Sequence, residues 1–226
     1  MKVSISLGGS LLTREMRPYN YRSYAKVLRE LKERGHQLVV VCGGGRPARE
    51  FISIARELSA DNRLQDRLGI IATHVNALLL IAALGEDADP RIHRRSDQVR
   101  KHLSNRILVG GGHLPGSSTD YRAVLFAEAM GADLVVNATD YGGVFDKDPS
   151  KHPDAKQYEK LSYRQLIDII RTRFEQSPGD YGLFDLKAAR RLSRIHIPLV
   201  IIDGTDPEEI TRAVEGGHGG TEIRDH

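Results

Sequence analysis

Along the chain, short apolar runs alternate with longer stretches in which apolar residues recur at helical spacing. Val3-Ser4-Ile5-Ser6-Leu7 alternates and then stops at Gly8-Gly9-Ser10, which reads as a strand entering a tight turn. From Tyr24 to Arg34 the apolar Val27, Leu28 and Leu31 are spaced for one helical face, with Gly35 as the stop. Gln37 to Cys42 is a continuous apolar run closed by Gly43-Gly44-Gly45, the pattern of a buried strand. Ala48 to Leu58 and Ile70 to Leu84 return to helical spacing, and the second is apolar on most faces, which places it deep in the core. Ile107 to Val109, Leu134 to Val136 and Pro198 to Ile202 complete the strands. Asp146 to Lys160, rich in Asp, Lys and Pro, reads as a loop or hairpin, Leu161 to Arg173 as a helix, and Gln176 to Gly182 as a second flexible segment. Strands alternating with helices predict an α/β fold with a mostly parallel sheet covered on both faces. Sites then form outside the carboxyl ends of the strands.

Composition narrows this picture modestly. The 226 residues suffice for one domain with two lobes, and 33 basic against 30 acidic residues leave a net charge of only +3. Nucleic acid is therefore not an expected partner, although Arg91 to Arg106 concentrates Arg91, His93, Arg94, Arg95, Arg100, Lys101, His102 and Arg106 against a lone Asp97. That segment reads first as a solvated face. The single Cys42 closes an apolar run, where a buried, inert thiol is expected. No apolar stretch approaches the roughly 18 residues of a membrane span, and the N-terminus lacks a secretion pattern, so no membrane partner and a cytoplasmic location are expected.

The chemistry sits in the turns. Gly8-Gly9-Ser10 is by itself no more than a tight turn, but it offers unhindered amides and a hydroxyl to a phosphate. Gly43-Gly44-Gly45 speaks more clearly, because the three glycines open onto a helix whose N-terminus attracts anions. Arg49 follows Gly45 by about one turn and can return to the same phosphate, whereas Arg46 is less well placed, since Pro47 reads as the helix start. Neither turn is a Walker A loop, and no GxGxxG opens the first. The polar loop from Gly110 to Asp120 precedes another helical pattern; Thr119 and Asp120 stand where caps stand, and Asp120 equally suits orienting a substrate group. Asn137 to Pro149 combines the aromatic Tyr141 and Phe145, which suit a base or lobe packing, with carboxylates. No HExxH or paired-cysteine pattern supports a structural metal, so any metal is expected as Mg²⁺ carried by a nucleotide.

Taken in order, the motifs IxLGGS near residue 5, VxGGGxxAR at 41 to 49, QDxLGI at 65 to 70, GGxxPGxSTD at 111 to 120, AT..GGVFxxDP at 138 to 149 and the IIDGTDP tail ending at 207 resemble the amino-acid kinase fold family. Within it they are most similar to the archaeal uridylate kinases. The resemblance covers essentially the whole chain. It implies a three-layer αβα sandwich in one domain, 1–226, with an N-terminal acceptor lobe, a C-terminal ATP lobe and a boundary about 130–135. The implied reaction moves the γ-phosphoryl of ATP to UMP, a step of pyrimidine nucleotide biosynthesis.

On matching positions, Gly9, Ser10, Gly45, Arg49, Thr139, Asp140, Phe145 and Asp148 are implied for ATP. Gly44, Asp66 and the loop Leu114, Pro115, Gly116, Ser117, Ser118, Thr119 and Asp120 are implied for UMP, with Arg49 and Asp120 as the catalytic pair. Relatives assemble as hexamers, trimers of dimers, and on that reading the Ile70 to Leu84 helix is either core or subunit surface. Two departures stand out: Ser6 occupies the place where many members carry a lysine, and Gly142 replaces the Asp of a VDGV turn. An isopentenyl phosphate kinase of the same fold is the nearest rival, but its pattern has a histidine after the glycine triplet where this chain has Arg49. A non-catalytic nucleotide sensor and an RNA-binding protein using Arg91 to Arg106 are the readings from other classes.

Overall fold

The computed structural model describes residues 1–149, 151–174 and 184–225. In chain order the elements are β1 (Lys2–Leu7), α1 (Gly9–Thr13), α2 (Pro18–Glu33), β2 (Gln37–Cys42), α3 (Gly45–Glu57), α4 (Asn62–Leu84), β3 (Ala88–His93), α5 (Ser96–His102), β4 (Ile107–Gly110), α6 (Thr119–Met130) and β5 (Leu134–Thr139). They continue with β6 (Lys160–Leu161), α7 (Tyr163–Phe174), α8 (Leu186–Ile195), β7 (Leu199–Asp203), α9 (Glu208–Glu215) and β8 (Thr221–Ile223). The strands form one eight-stranded sheet in the order β3-β4-β2-β1-β5-β7-β8-β6, parallel except where β8 runs antiparallel to β7. β1 lies near the middle, and the chain leaves it first toward β2 and later toward β5, so the sheet changes direction of growth at β1.

The alternation in β1 now has a physical meaning. Val3, Ile5 and Leu7 enter a core shared with α2, α4 and α9, while Ser4 and Ser6 face the opposite layer, where the Ser4 hydroxyl donates to the Ala123 carbonyl of α6 at 2.8 Å. Val39, Val41, Val135, Leu199 and Ile201 form the second core with α6, α7 and α8. The result is the expected three-layer sandwich.

Three local expectations change. The GGS segment after β1 is not an open turn, because α1 begins at Gly9 itself. α2 starts at Pro18 rather than Tyr24, with the proline at the first helical position, where its missing N–H costs nothing. α4 is longer than the apolar run that announced it, starting behind the Asp61 cap, and it is not deep in the core along its whole circumference. Ala72, Thr73, Asn76, Ala77, Leu80 and Leu84 are buried, but Ile71, Val75 and Leu78 are about half exposed, as are Phe51 and Ile54 of the neighbouring α3, while Leu58 just beyond it is more exposed still. The span Asn62–Asp87 is long and apolar enough to cross a bilayer by length and composition, which the interrupting Thr73, His74 and Asn76 conceal in the sequence. Its inner side packs on α2, α3, β2 and β3. Asp146 to Lys160 behaves as a hairpin, with Phe145 bridged to Gln157. The Gln176 to Gly182 segment lies outside the described residues.

Candidate active site

At the carboxyl ends of β1 and β2 the two glycine turns touch backbone to backbone. A Cβ on Gly9 would stand 2.5 Å from the Gly43 carbonyl carbon and closer still to Gly45 N, and a Cβ on Gly43 would stand 2.5 Å from Gly9 N. Gly45 adopts φ +65°, which disfavours any side chain. The seam therefore exists only because these positions carry no Cβ. Thr13, buried at the end of α1, locks it: its hydroxyl donates to Gly9 O at 2.8 Å and accepts from Arg46 N at 3.2 Å. Of the first N–H groups of α1 and α3, Leu11 N is taken by Gly8 O and Arg46 N by Thr13, and those of Gly9, Ser10 and Gly45, which have no carbonyl one turn back, can serve as donors for an anion.

Beside the seam lies a cavity of about 310 Å³ lined by Ser10, Leu11, Thr13, Arg14, Arg46, Arg49, Asp140 and Thr205. Three guanidinium groups against one carboxylate give its wall a net positive charge, which suits an anionic ligand. Arg46 is partly engaged, with Nε 2.6 Å from Glu50, but it lines the cavity rather than leaving it. Arg14 and Arg49 make no hydrogen bond or ion pair with a described residue, so their charge is available to a ligand.

The 114–120 loop is held by α4 from the other side. Asp66 Oδ2 accepts from Gly116 N at 2.8 Å, Thr73 Oγ1 accepts from Gly112 N at 2.8 Å, and His74 Nε2 donates to Gly112 O at 2.7 Å. The carbonyl can only accept, which fixes the proton on Nε2; burial holds this imidazole below its ordinary pKa and hence neutral. Lys187, at the start of α8, donates to Gly116 O at 3.1 Å. Ser118, not Thr119 or Asp120, caps α6, accepting from Tyr121 N at 3.0 Å, and Thr119 and Asp120 fall in the first turn.

Asp120 meets the sheet through a small network. Ser6 and Asn137 are register partners on β1 and β5, so both side chains leave the same face. Both donate to Asp120 Oδ1, Ser6 Oγ at 2.8 Å and Asn137 Nδ2 at 2.7 Å. Burial pushes the Asp120 carboxyl above the usual carboxylate range, and the neighbouring Asp185 adds to that, outweighing the hydrogen bonds that pull it down.

The sequence profile described as the amino acid kinase family matches residues 1–203. The chain is 40% identical to a uridylate kinase of Haloarcula marismortui over 225 residues, 99% of this chain and 98% of that protein. It is 39% identical to one of Methanoregula boonei over 218 residues, covering 96% and 92%. This chain belongs to the amino acid kinase family. The crystal structure of uridylate kinase from Archaeoglobus fulgidus superposes with a TM-score of 0.88 at 39% identity, covering 99% of this chain and all of that one. The UMP kinase of Bacillus anthracis superposes at 0.83 but at 24% identity, a likeness of fold alone.

In this amino acid kinase the fold brings Gly9, Ser10, Gly45, Arg49 and Asp140 around one cavity or its rim, and gathers Gly44, Asp66 and the 114–120 loop beside it. Thr139 borders the same region through its hydroxyl, which accepts from Tyr141 N at 2.9 Å, and through its carbonyl, which accepts from Gly204 N at 2.7 Å. Phe145 and Asp148 sit in the hairpin that follows, outside the cavity lining; the Asp148 carbonyl accepts from Lys151 N and His152 N. Sequence reasoning missed Thr13, Arg14 and Thr205 as site residues. Thr205 was within reach, because it sits in the IIDGTDP tail directly after β7, at the same edge of the sheet.

Proposed function

We infer that this chain is a UMP kinase, which transfers the γ-phosphoryl of ATP to UMP and releases UDP and ADP. The observation that carries the geometry is the Gly9/Gly43/Gly45 seam beside a cavity with three arginines. A phosphate oxygen of UMP forms the new bond to the γ-phosphorus as the bond from that phosphorus to the β–γ bridging oxygen breaks, and the electron pair leaves on ADP. The attacking oxygen is already anionic, so the protein's task is alignment and charge neutralisation rather than proton removal.

On this reading the amides at Gly9, Ser10 and Gly45, with Arg49, hold ATP phosphates. Thr139, Asp140, Phe145 and Asp148 form the adenosine side. Gly44, Asp66 and Leu114 to Asp120 enclose UMP, which makes the part before about 130–135 the acceptor lobe. Arg14 and Arg46 add charge from the cavity wall. Mg²⁺ enters with the nucleotide, and Asp140 in the cavity wall suits an ion that keeps phosphate and water ligands. The exposed apolar face of α3 and α4 supports assembly with further copies, and a hexamer built as a trimer of dimers is the form we propose, in the cytoplasm. Light scattering checks this, with Leu78→Glu expected to yield smaller particles than the parent chain.

Coupled assay of ADP release with UMP, CMP, isopentenyl phosphate and carbamate tests the activity. Turnover with UMP is expected, and tight UMP binding without turnover overturns the enzyme reading. Arg49→Ala is expected to lower kcat by roughly 10²-fold through loss of a charge-assisted donor. Asp66→Ala, which frees Gly116 N, is expected to raise the KM for UMP roughly tenfold with little change in kcat. Steady-state kinetics distinguish the two signatures.

A further inference from the structure

Asn76 lies in the middle of α4, buried to 2% exposure, where an asparagine is a weak helix former and its amide is costly to hide. All the hydrogen bonds of its side chain leave the helix. Nδ2 donates to Gly43 O at 2.7 Å and Gly44 O at 3.3 Å, while Oδ1 accepts from the Tyr21 hydroxyl at 2.9 Å. The orientation of the amide is dictated chemically, since the glycine carbonyls can only accept and must face the NH₂ end. Tyr21 is itself buried, and burial pushes its phenol up to about 12, which keeps the hydroxyl protonated and donating.

The consequence comes from the planarity of the peptide. Gly43 C=O shares a plane with Gly44 N–H, and Gly44 C=O shares one with Gly45 N–H, with carbonyl and amide pointing opposite ways in each trans unit. Drawing both carbonyls toward α4 aims both N–H groups away from it, toward the α1 side of the seam. The Gly44 carbonyl is also the first acceptor of α3, so there Asn76 reinforces what the helix start already favours; the Gly43 carbonyl has no such partner, because Pro47 carries no N–H, and depends on Asn76 more.

We propose that Asn76, braced by Tyr21, is a positioning residue for phosphoryl transfer: by fixing the Gly43 and Gly44 carbonyls it sets the direction of the Gly44 and Gly45 amides toward the acceptor and donor phosphates. The proposal rests on the UMP kinase reading for the identity of those phosphates. It makes α4 a shared reference for both turns, since Asp66, Thr73 and His74 of the same helix hold the acceptor loop.

Asn76→Asp keeps the shape and puts an oxygen against the two carbonyls. Tyr21→Phe keeps both donors and removes only the brace. Misalignment on the scale of 1 Å costs about 10²-fold in rate, so kcat is expected to fall roughly 30- to 100-fold in Asn76→Asp and about 3- to 10-fold in Tyr21→Phe. The KM values for UMP and ATP should stay within about threefold, because an amide still lies near each phosphate. Amide resonances of Gly44 and Gly45 should shift in Tyr21→Phe without any ligand. If Asn76→Asp does not fold by circular dichroism, Tyr21→Phe decides alone. Parental kcat in the folded variants, or a rise in KM with kcat unchanged, overturns the proposal. A parent chain that turns over no acceptor would sink the UMP kinase reading instead, and the Gly44 and Gly45 resonances would then decide the positioning role separately.

Discussion

Gly9→Ala is expected to lower kcat/KM by at least roughly 10³-fold and to lower Tm as well. The added methyl would meet the Gly43 carbonyl carbon at 2.5 Å and Gly45 N closer still, and both are backbone atoms that cannot rotate aside. α1 must then retreat from α3 by about 1 Å, which moves the Ser10 and Gly45 amides off any shared phosphate. Gly131→Ala, at the end of α6, is the instructive control. Nothing lies within 4 Å of a Cβ there, although φ is +62°, so the expected cost is about 1–2 kcal/mol of local strain with activity largely kept. Kinetics paired with thermal melts separate the cases, and a Gly9→Ala enzyme retaining a tenth of parental activity would contradict the seam's importance.

The second large effect is at Asp120, where activity and stability should move in opposite directions. Asp120→Asn is expected to reduce kcat by roughly 10²-fold, because an amide disturbs the arrangement in which Ser6 and Asn137 both donate to Oδ1 and with it the alignment of groups at the proposed transfer point. Stability follows from the sign of its pKa shift. The folded state holds the proton more tightly than the unfolded chain, so as pH rises above the ordinary carboxylate range the unfolded state releases it first and folding becomes less favourable. The amide carries no such charge. Melting curves should therefore coincide near pH 4 and separate toward pH 7, with Asp120→Asn the more stable. Curves that separate the other way would show that the hydrogen bonds, not burial, govern this carboxyl.

Much of the frame was legible because hydrophobic runs ended in glycine. β1, β2, β4 and β7 announced themselves that way, β5 as an apolar run leading into Asn137 to Asp140, and with them the edge of the sheet where the site lies. β6 and β8, with two and three residues, are too short to carry a pattern of their own and form by pairing at the sheet's far edge. α1 read as a turn because five residues give no periodicity. The outer face of α4 was misjudged for a different reason: apolar residues state that something should cover them, not whether it is the same chain. The Ser6 to Asp120 bond spans 114 positions and depends on β1 lying next to β5, a neighbour relation that local pattern does not encode. Asn76 did leave a signal, a polar residue inside an apolar helix, since buried polar groups need partners.

Room for change is distributed unevenly around the two substrates. On the side of the Gly9/Gly43/Gly45 seam the glycines meet main chain to main chain, with the Thr13 hydroxyl against Gly45, so a larger residue at any of the three has no room. On the side of the 114–118 segment, Leu114 is largely exposed and Gly116 has open space around it. A lineage or a designer seeking a different acceptor would find the phosphate end immutable and the far end permissive. Diversification of what is phosphorylated, with the manner of phosphorylation held constant, is the evolutionary freedom this architecture grants.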